Sequence, residues 1–582
     1  MRRTVAVVAC LVAILGLVAP AAFAQAPTPK VTINGLFDQI TSAGANQYDG
    51  DFSRKGDKEW YARTRFRPDF TFEVGRTKAV LGLEMDLTYG AAGSCPAGPS
   101  KNGAPCVGEK NGSTASSTLN TDVTGIFEIK WMYTEFDLTG KDSLMPFIPV
   151  GTVARVGAQP FATLGTYRAT YTAGDFMGIS AVTTWAPNLK TNLAYIQIDE
   201  QLADSDRAGF NGSGPGIKGT RGDDFAVIFS PEFTPFKGLD IKPIYSFAYF
   251  QGTTSGSSRR SATNITTPNA YLGGAGCGGA GGCALGGNVA AATAFQLEQN
   301  RAGAAGASYA NGDPSQHEFR NTIGIDARWR SGPFSLDPTI LYQWGKRSSV
   351  ALDRPGLNYA AHSVEAGMSS WLFDVQGGFQ LGPLLIEARG MYSTGNKAGD
   401  NIAKGINYFE PLDLDTNYWI TWSNIFALGV DYFNGNPHSM ANNIGYDRYG
   451  RGGFGVRVTY SLTPELAIYT SVSPTWTAQK VDTDTTVAGI TQSGSAGIRV
   501  CSRAADIGST CFVKGDSSYL GTEADLGLTW RFAPNTAFDL VGAYLFAGSA
   551  LDTRVCNGAA GPCHKEDAAN AWTAVARVRL AF

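Results

Sequence analysis

Histidine, uniform charge and long apolar segments are scarce in this chain of 582 residues. Its four histidines (His317, His362, His438 and His564) are scattered, and no two have the spacing of metal ligands. The formal net charge is only −3, which argues against a nucleic-acid partner because such proteins concentrate positive charge. After residue 24 there is no run of about 18 apolar residues, so we expect no membrane-spanning helix.

Residue combinations typical of catalytic or cofactor-binding sites are also missing. We find no nucleophile with a matching base, no C-x-x-C-H haem motif and no zinc-type cysteine spacing. The segment 413–417 resembles the start of a calcium loop, but Tyr418 stands where that loop needs glycine. We therefore expect no enzymatic activity, no cofactor and no metal site.

The N-terminus has the pattern of a secretory signal. Arginines at positions 2–3 precede an apolar stretch at 5–18, and an A-x-A cleavage motif ends at Ala24. We predict that residues 1–24 are removed and that residues 25–582 form a single domain outside the cytoplasm.

Nine cysteines are present, and Cys10 lies inside the signal. The others form four close pairs in stretches rich in Gly, Pro, Asn and Ser: Cys95 with Cys106, Cys277 with Cys283, Cys501 with Cys511, and Cys556 with Cys563. An even number of cysteines in an exported chain favours disulfides. We predict four local disulfides in loops.

Alternation of apolar and polar residues dominates the rest of the chain. In the segment 60–74, Trp60 and Phe66 share one face, whereas Arg63, Arg65 and Arg67 share the other. This period of two predicts a β-strand. A tight turn at 75–78 then leads into a second strand that ends at Tyr89.

The same pattern predicts strands along the whole chain. They fall near 31–40, 60–74, 79–89, 126–138, 148–157, 176–185, 190–199, 224–232, 239–250, 319–329, 334–344, 371–381, 384–392, 454–462, 466–476, 520–532, 538–546 and 571–582. The last of these ends on the aromatic Phe582, with an apolar face for lipid and a polar face for water. We predict an all-β fold, a transmembrane antiparallel β-barrel of about 18 strands, with 16 or 20 as alternatives.

Short turns and long loops alternate between these strands. The long ones lie near 41–58, 90–125, 158–175, 200–223, 252–317, 345–366, 394–450, 478–517 and 547–570, and they contain all four cysteine pairs. In outer-membrane barrels the long loops are extracellular and the short turns periplasmic. The loop 158–175, which contains Arg168, is the candidate constriction. In the loop 394–450, apolar spacing over 418–433 suggests a short helix that folds into or over the pore.

The inward face is the candidate functional surface, because fixed charges in a narrow wet pore select ions and orient polar solutes. By alternation, the pore-lining residues are Arg63, Arg65, Arg67, Asp69, Glu84, Asp86, Arg320, Asp326, Arg328, Glu387, Arg389, Arg457, Glu523, Asp525, Arg577 and Arg579. Many of these charges would pair across strands and stiffen the wall. The ladder of Arg63, Arg65 and Arg67 is the best candidate for charges with a functional role instead of a structural one. We predict that the pore has a mild preference for anions.

Three short motifs resemble the general porins of Gram-negative bacteria. The segment 31–38 is similar to the family's V-T-L-Y-G-x-x-D start, with Asn34 in place of Tyr. The segment 157–159 is similar to its G-R-Q motif, with Ala158 in place of Arg, and the Phe582 ending matches its last strand. The count of 18 strands, the lack of a P-E-F-G-G motif and the paired cysteines depart from that family.

The resemblance implies a water-filled diffusion channel, often a homotrimer, in the bacterial outer membrane. The expected partners are outer-membrane lipid, lipopolysaccharide and small hydrophilic solutes. Two alternatives stay open: a substrate-selective channel for a specific anion or sugar, and a surface barrel that acts through its long loops.

Overall fold

A computed structural model describes residues 28–46, 58–89, 126–161, 164–168, 170–172, 175–200, 223–251, 317–352, 361–397, 405–412, 422–425, 449–481, 515–556 and 563–582. The N-terminal signal, most of the long loops and three of the four cysteine pairs lie outside these residues. The predictions made for them stay predictions.

Eighteen long strands form one antiparallel sheet within the described residues. Strands β1–β13 are Lys30–Ala45, Lys58–Val74, Thr77–Tyr89, Ile126–Thr139, Gly151–Pro160, Asp175–Ala186, Leu189–Glu200, Asp223–Phe236, Leu239–Gln251, His317–Ser331, Phe334–Leu352, Ala361–Leu381 and Leu384–Ser393. Strands β15–β18 and β21 are Arg451–Ser461, Leu466–Val481, Ser517–Ala533, Thr536–Ala547 and Ala571–Ala581. Each predicted strand is present, which confirms the barrel and its strand number.

Three short strands do not belong to the barrel wall. β14 (Gly405–Ile406) runs parallel to part of β12. β19 (Thr553–Cys556) and β20 (Cys563–Glu566) form a separate hairpin, in which the backbone of Cys556 lies opposite that of Cys563. This register suits the predicted disulfide, which nevertheless stays a prediction.

The barrel closes where β21 pairs with β1, a contact that we call the closing seam. The pairing runs from Leu36 opposite Ala581 to Ala45 opposite Trp572. The terminal residue extends it, because Gly35 and Phe582 exchange two backbone hydrogen bonds of 2.9 and 3.0 Å. Since lipid offers no hydrogen-bond partners, closure satisfies backbone groups that an open sheet would leave exposed.

Most strands are longer than the sequence pattern predicted. β11 continues to Leu352, and β12 already begins at Ala361. Most of the predicted loop 345–366 is therefore an extended hairpin. The prediction of a loop there was wrong because alternation of polarity fades beyond the apolar band, whereas backbone pairing continues without it. No helix among the described residues has the length and apolar character needed to cross a bilayer.

A glycine at the closing seam makes room for the terminal aromatic ring. A Cβ atom at Gly35 would lie 2.5 Å from Cζ of Phe582 and 2.8 Å from the carbonyl oxygen of Arg67. The Phe582 ring lies 6.2 Å from that of Phe66, which itself stacks on Phe37 at 4.5 Å. Gly35 therefore allows an aromatic cluster to cover the end of the seam.

We predict that Gly35→Ala destabilises the folded barrel by about 1–3 kcal/mol, the usual cost of overpacking. The gel mobility of unheated protein across a temperature series measures this. Gly390→Ala is the control, because a Cβ atom there meets nothing within 4 Å. Equal unfolding temperatures for the two variants would contradict the role given to Gly35.

Candidate functional site

The two faces of the barrel wall differ in polarity. On β2, Trp60 and Phe72 are 63% and 45% exposed on the outer face, whereas Arg63 and Arg65 are 1% and 2% exposed on the inner face. The same alternation holds on β21, where Leu580 is exposed and Arg577 is buried. Charged side chains thus lie inside the barrel and large apolar side chains lie outside.

Ion pairs bridge the closing seam on its inner side. Nε and Nη2 of Arg577 both donate to the carboxylate of Asp38, the Nε–Oδ1 distance being 2.5 Å. Arg579 places Nε 2.9 Å from Oδ2 of Asp539 on β18. Paired guanidinium and carboxylate groups therefore connect β18, β21 and β1.

The arginine ladder of β2 also meets carboxylates. Nε of Arg65 lies 3.0 Å from Oε1 of Glu84, and Nε of Arg67 lies 2.8 Å from Oε2. Lys130 reaches the same carboxylate at 3.1 Å. Glu84 on β3 therefore draws three cations together, and Arg65 and Arg67 take part in the wall's charge pairing.

Other predicted pore residues contact different partners at separate places on the inner wall. Arg389 donates to Asp374 (Nε–Oδ1, 2.8 Å), and Glu387 accepts from Gln376 at 3.2 Å. Arg457 lies over the ring of Tyr469, 4.2 Å from its centroid. The structure places Asp69 half-buried on β2 and Asp86 on β3 opposite Arg65, with the Asp86 side chain outside the described set.

A segment that follows β5 folds into the barrel; we call it segment 161–172, and residues 161, 164–168 and 170–172 of it are described. The side chains of Phe161 and Tyr171 are 1% and 0% exposed. The Tyr171 hydroxyl group donates to Ser246 on β9 at 3.0 Å, and Arg328 on β10 donates to the carbonyl oxygen of Tyr167 at 2.9 Å. The described part of the predicted constriction loop therefore lies inside the barrel, across from the closing seam.

Arg168 anchors this segment to the wall. Its Nη2 atom lies 3.3 Å from the Asp374 carboxylate, 3.1 Å from the carbonyl oxygen of Asp337 and 3.2 Å from the hydroxyl of Thr339. Burial lowers the pKa of the Arg168 guanidinium, and the neighbouring Asp374 carboxylate opposes that shift. Arginine stays protonated in proteins, so this contact is a charge pair.

A second inward segment, residues 405–412, meets the first. Arg320 on β10 contacts the carboxylate of Glu410, and Gln343 on β11 exchanges two hydrogen bonds with the Glu410 backbone, at 2.6 and 3.1 Å. The backbone N–H of Leu412 donates to the carbonyl oxygen of Tyr171 at 2.8 Å. The two segments therefore narrow the interior together.

Part of the same long loop is held against β17. The backbone N–H groups of Asn424 and Ile425 donate to Glu523 at 2.5 and 2.7 Å, and the Asn424 side chain donates to Asp525 at 2.9 Å. Residues 422–425 form bends and not a helix. The predicted helix over 418–433 is therefore wrong at residues 422–425, because the backbone amides of Asn424 and Ile425 bond to a wall carboxylate. The rest of that range lies outside the described residues.

Exposure inside the barrel increases toward the end that carries the short turns. Along β2, the side chains of Arg65, Arg67 and Glu73 are 2%, 25% and 30% exposed. Across the closing seam, the side chain of Arg579 is 38% exposed, against 5% for Arg577. The interior is therefore filled in its loop-side half and open in its turn-side half.

Sequence reasoning missed several residues of this interior. Asp38 and Asp374 lie on the inner face of predicted strands, so alternation alone could have identified them. Glu410 and Tyr171 belong to segments without periodicity, where no signal was present. Within the described ranges, no group of three His, Cys, Asp or Glu side chains could hold a metal ion.

An apolar outer face, a charged inner face and a closed ring of antiparallel strands define a β-barrel of the outer-membrane class. The crystal structure of OccK8 (OprE) from Pseudomonas aeruginosa is similar at 10% identity and a TM-score of 0.44, over 95% of this chain and 98% of that one. OccAB4 from Acinetobacter baumannii gives 10% identity and a TM-score of 0.43, over 94% and 98%. The outer membrane protein OpdK from P. aeruginosa gives 8% and 0.38, also over 94% and 98%.

These similarities are weak, and the strand pairing of this chain itself defines the fold. No family model matches the chain. No curated protein matches it.

We predict that Glu523→Ala frees the segment 422–425 from the wall. Loss of hydrogen bonds to a charged acceptor, each contributing about 1.5–3 kcal/mol, should speed hydrogen exchange at the Asn424 and Ile425 amides by at least about tenfold. Mass spectrometry of peptides from this segment measures the rate. Glu387→Ala is the matched control, and equal exchange in both variants would refute the anchor.

Proposed function

We propose that this protein is an outer-membrane porin that forms a water-filled channel for passive diffusion of small hydrophilic solutes. The observation that carries the proposal is the pair of inward segments, 161–172 and 405–412, which meet inside a barrel whose inner wall is charged. A barrel of this size without such segments would leave a wide aqueous lumen. Their presence sets an upper limit on the size of a permeant solute.

The charges around the inward segments support passage of polar solutes. Arg168 and Arg328 lie near Asp326 and Asp374, so cationic and anionic groups face each other across a short distance. Such an arrangement orients a dipolar solute in transit. The role is transport and not catalysis.

The mild anion preference rests on guanidinium groups without an acidic partner. Among the described residues, no carboxylate forms a salt bridge with Arg457 or Arg328, which lie over tyrosine rings at 4.2 and 4.4 Å. On the acidic side, Asp69, Asp326, Glu387 and Asp525 have no salt bridge within the same set either, although Asp326 and Asp525 are buried. The charge imbalance is therefore small. We propose that Arg457 and Arg328 give the pore its preference.

The setting of the proposed channel follows from the sequence. The signal at residues 1–24 would direct export and then be removed. The barrel would lie in the outer membrane with the long loops outside, near lipopolysaccharide, and the short turns in the periplasm. The four cysteine pairs would form disulfides in that oxidising compartment. We propose a homotrimer as the assembly.

A second candidate is a substrate-selective channel for a particular anion or sugar. The contact between the inward segments favours it, because a narrow polar passage can bind a solute during transit. Conductance that saturates with that solute and is blocked by it would distinguish this function from general diffusion.

We expect refolded protein to form ion channels in a planar bilayer, with a reversal potential in a salt gradient that indicates mild anion preference. Arg457→Ser should shift the reversal potential toward that of a cation-preferring pore, by a few millivolts, because one fixed positive charge is lost. Arg531→Ser, at an exposed turn end, is the control and should leave it unchanged. An absence of channels would refute the porin, whereas clear cation preference in the parent protein would refute only the selectivity.

We further predict that Arg168→Ala raises the single-channel conductance, by some tens of per cent, and increases its noise. The change removes the contacts of segment 161–172 with Asp337, Thr339 and Asp374, so the segment leaves its place in the lumen more often. Arg330→Ala is the control, because that side chain pairs with Asp337 at an exposed turn. Unchanged conductance in Arg168→Ala would mean that this segment does not limit the current.

A further inference from the structure

One connection at the turn end of the barrel is much longer than the others. Residues 140–150 join β4 to β5, whereas the other turn-side connections in the described part of the chain have two to four residues. We call residues 140–150 the long turn. Its Leu144 and Phe147 are 70% and 72% exposed, more than any other large apolar side chain that the structure describes. An exposed apolar surface of this kind indicates a binding partner.

Hydrogen bonds hold the long turn against the rim of the wall. The backbone N–H groups of Leu144 and Met145 donate to carbonyl oxygens of β4 at 3.0 and 2.9 Å. Arg76, in the turn between β2 and β3, donates to the carbonyl oxygen of Lys141 at 2.6 Å and contacts the carboxylate of Asp137. The long turn is therefore tied to β4 and to the neighbouring turn, and its apolar side chains project from a backbone that is fixed in place.

The tip of the long turn, residues 144–149, has few backbone donors that need water. Its sequence is L-M-P-F-I-P, and the two prolines have no N–H group. Three of the other four N–H groups, those of Leu144, Met145 and Ile148, donate to carbonyl oxygens of the chain. An unpaired peptide group is the main obstacle to placing backbone in lipid. The tip can therefore leave water at little cost to its backbone.

A neighbouring tryptophan indicates the depth at which the long turn lies. Trp185 is 57% exposed near the end of β6, and the adjacent Thr184 pairs with Gly151, where the long turn meets β5. Tryptophan prefers the headgroup level of a bilayer, so the long turn lies at that level. Lys141 of the long turn is exposed, and no carboxylate forms a salt bridge with it within the described ranges. Its ammonium group can therefore meet the phosphate of a headgroup.

We propose that the long turn is a lipid anchor, whose tip enters the phospholipid leaflet at the turn end of the barrel while Lys141 contacts headgroup phosphates. Apolar side chains beside a lysine are the combination that binds a membrane surface. A periplasmic protein is the competing occupant, but the tip offers such a partner almost no backbone donors, and its apolar surface continues the lipid-facing wall. The inference rests on the membrane barrel and does not depend on whether the channel conducts.

The test uses the full chain in vesicles of phosphatidylcholine and phosphatidylglycerol with brominated acyl chains, which quench fluorescence on contact. A fluorescent amino acid in place of Phe147, or in place of Leu144, should be quenched at least about threefold more than the same amino acid in place of Asn535, an exposed residue of a two-residue turn. In cells, benzoylphenylalanine in place of Phe147 should give a phospholipid adduct. Equal quenching at the three positions, or a protein adduct without a phospholipid adduct, would overturn the inference.

A charge placed in the tip gives a second test. Leu144→Asp should reduce the quenching at position 147 by at least about half, because a carboxylate draws the tip out of the lipid. Asn535→Asp adds the same charge at another turn and is the matched control, which should leave the quenching unchanged. Heat-dependent gel mobility and bilayer conductance show that each variant folds. Undiminished quenching in folded, conducting Leu144→Asp would count against the lipid anchor and leave the porin function intact.

Discussion

The structure depends on the need to pair every backbone N–H and C=O group of the wall where no water is available. In hydrocarbon an unpaired peptide group costs several kcal/mol, so the last strand must find the first. The closing seam does so over ten residue pairs from Leu36–Ala581 to Ala45–Trp572 and is extended by Gly35 and Phe582. The terminal aromatic residue and the glycine beneath it are local consequences of this requirement.

Closure then divides the side chains into two populations. Alternation sends apolar residues to lipid and charged residues inward, where neighbouring strands bring opposite charges together. The contacts of Asp38 with Arg577 and of Glu84 with Arg65 follow from register alone. The guanidinium groups of Arg65 and Arg577 tolerate burial because each has a carboxylate nearby. Breaking such a pair would leave an uncompensated buried charge.

The strands could be predicted because their two faces meet different solvents. Period-two alternation located all eighteen, and the same phase identified Arg63, Asp326 and Glu523 as inward residues. Strand ends were less predictable, since β11 and β12 continue beyond the apolar band, where backbone pairing no longer depends on polarity. The inward segments left almost no signal, because their contacts join residues far apart in sequence, such as Arg320 with Glu410 and Tyr171 with Leu412.

The inward segments and the wall provide hydrogen-bond partners for each other's polar groups. A loop inside a barrel buries backbone groups that need partners, and a charged wall contains carboxylates and guanidinium groups that need neutralisation or solvent. Glu523 accepts the amides of Asn424 and Ile425, while Arg328 donates to the carbonyl oxygen of Tyr167. The charges of the inner face, which would line an empty pore, therefore hold the segments that narrow it. The inner-face residues that stay in contact with water lie toward the turns, beyond the reach of these segments. In the proposed channel the segments limit solute size, and the proposed charge preference rests on the few cations, such as Arg457, that form no salt bridge among the described residues.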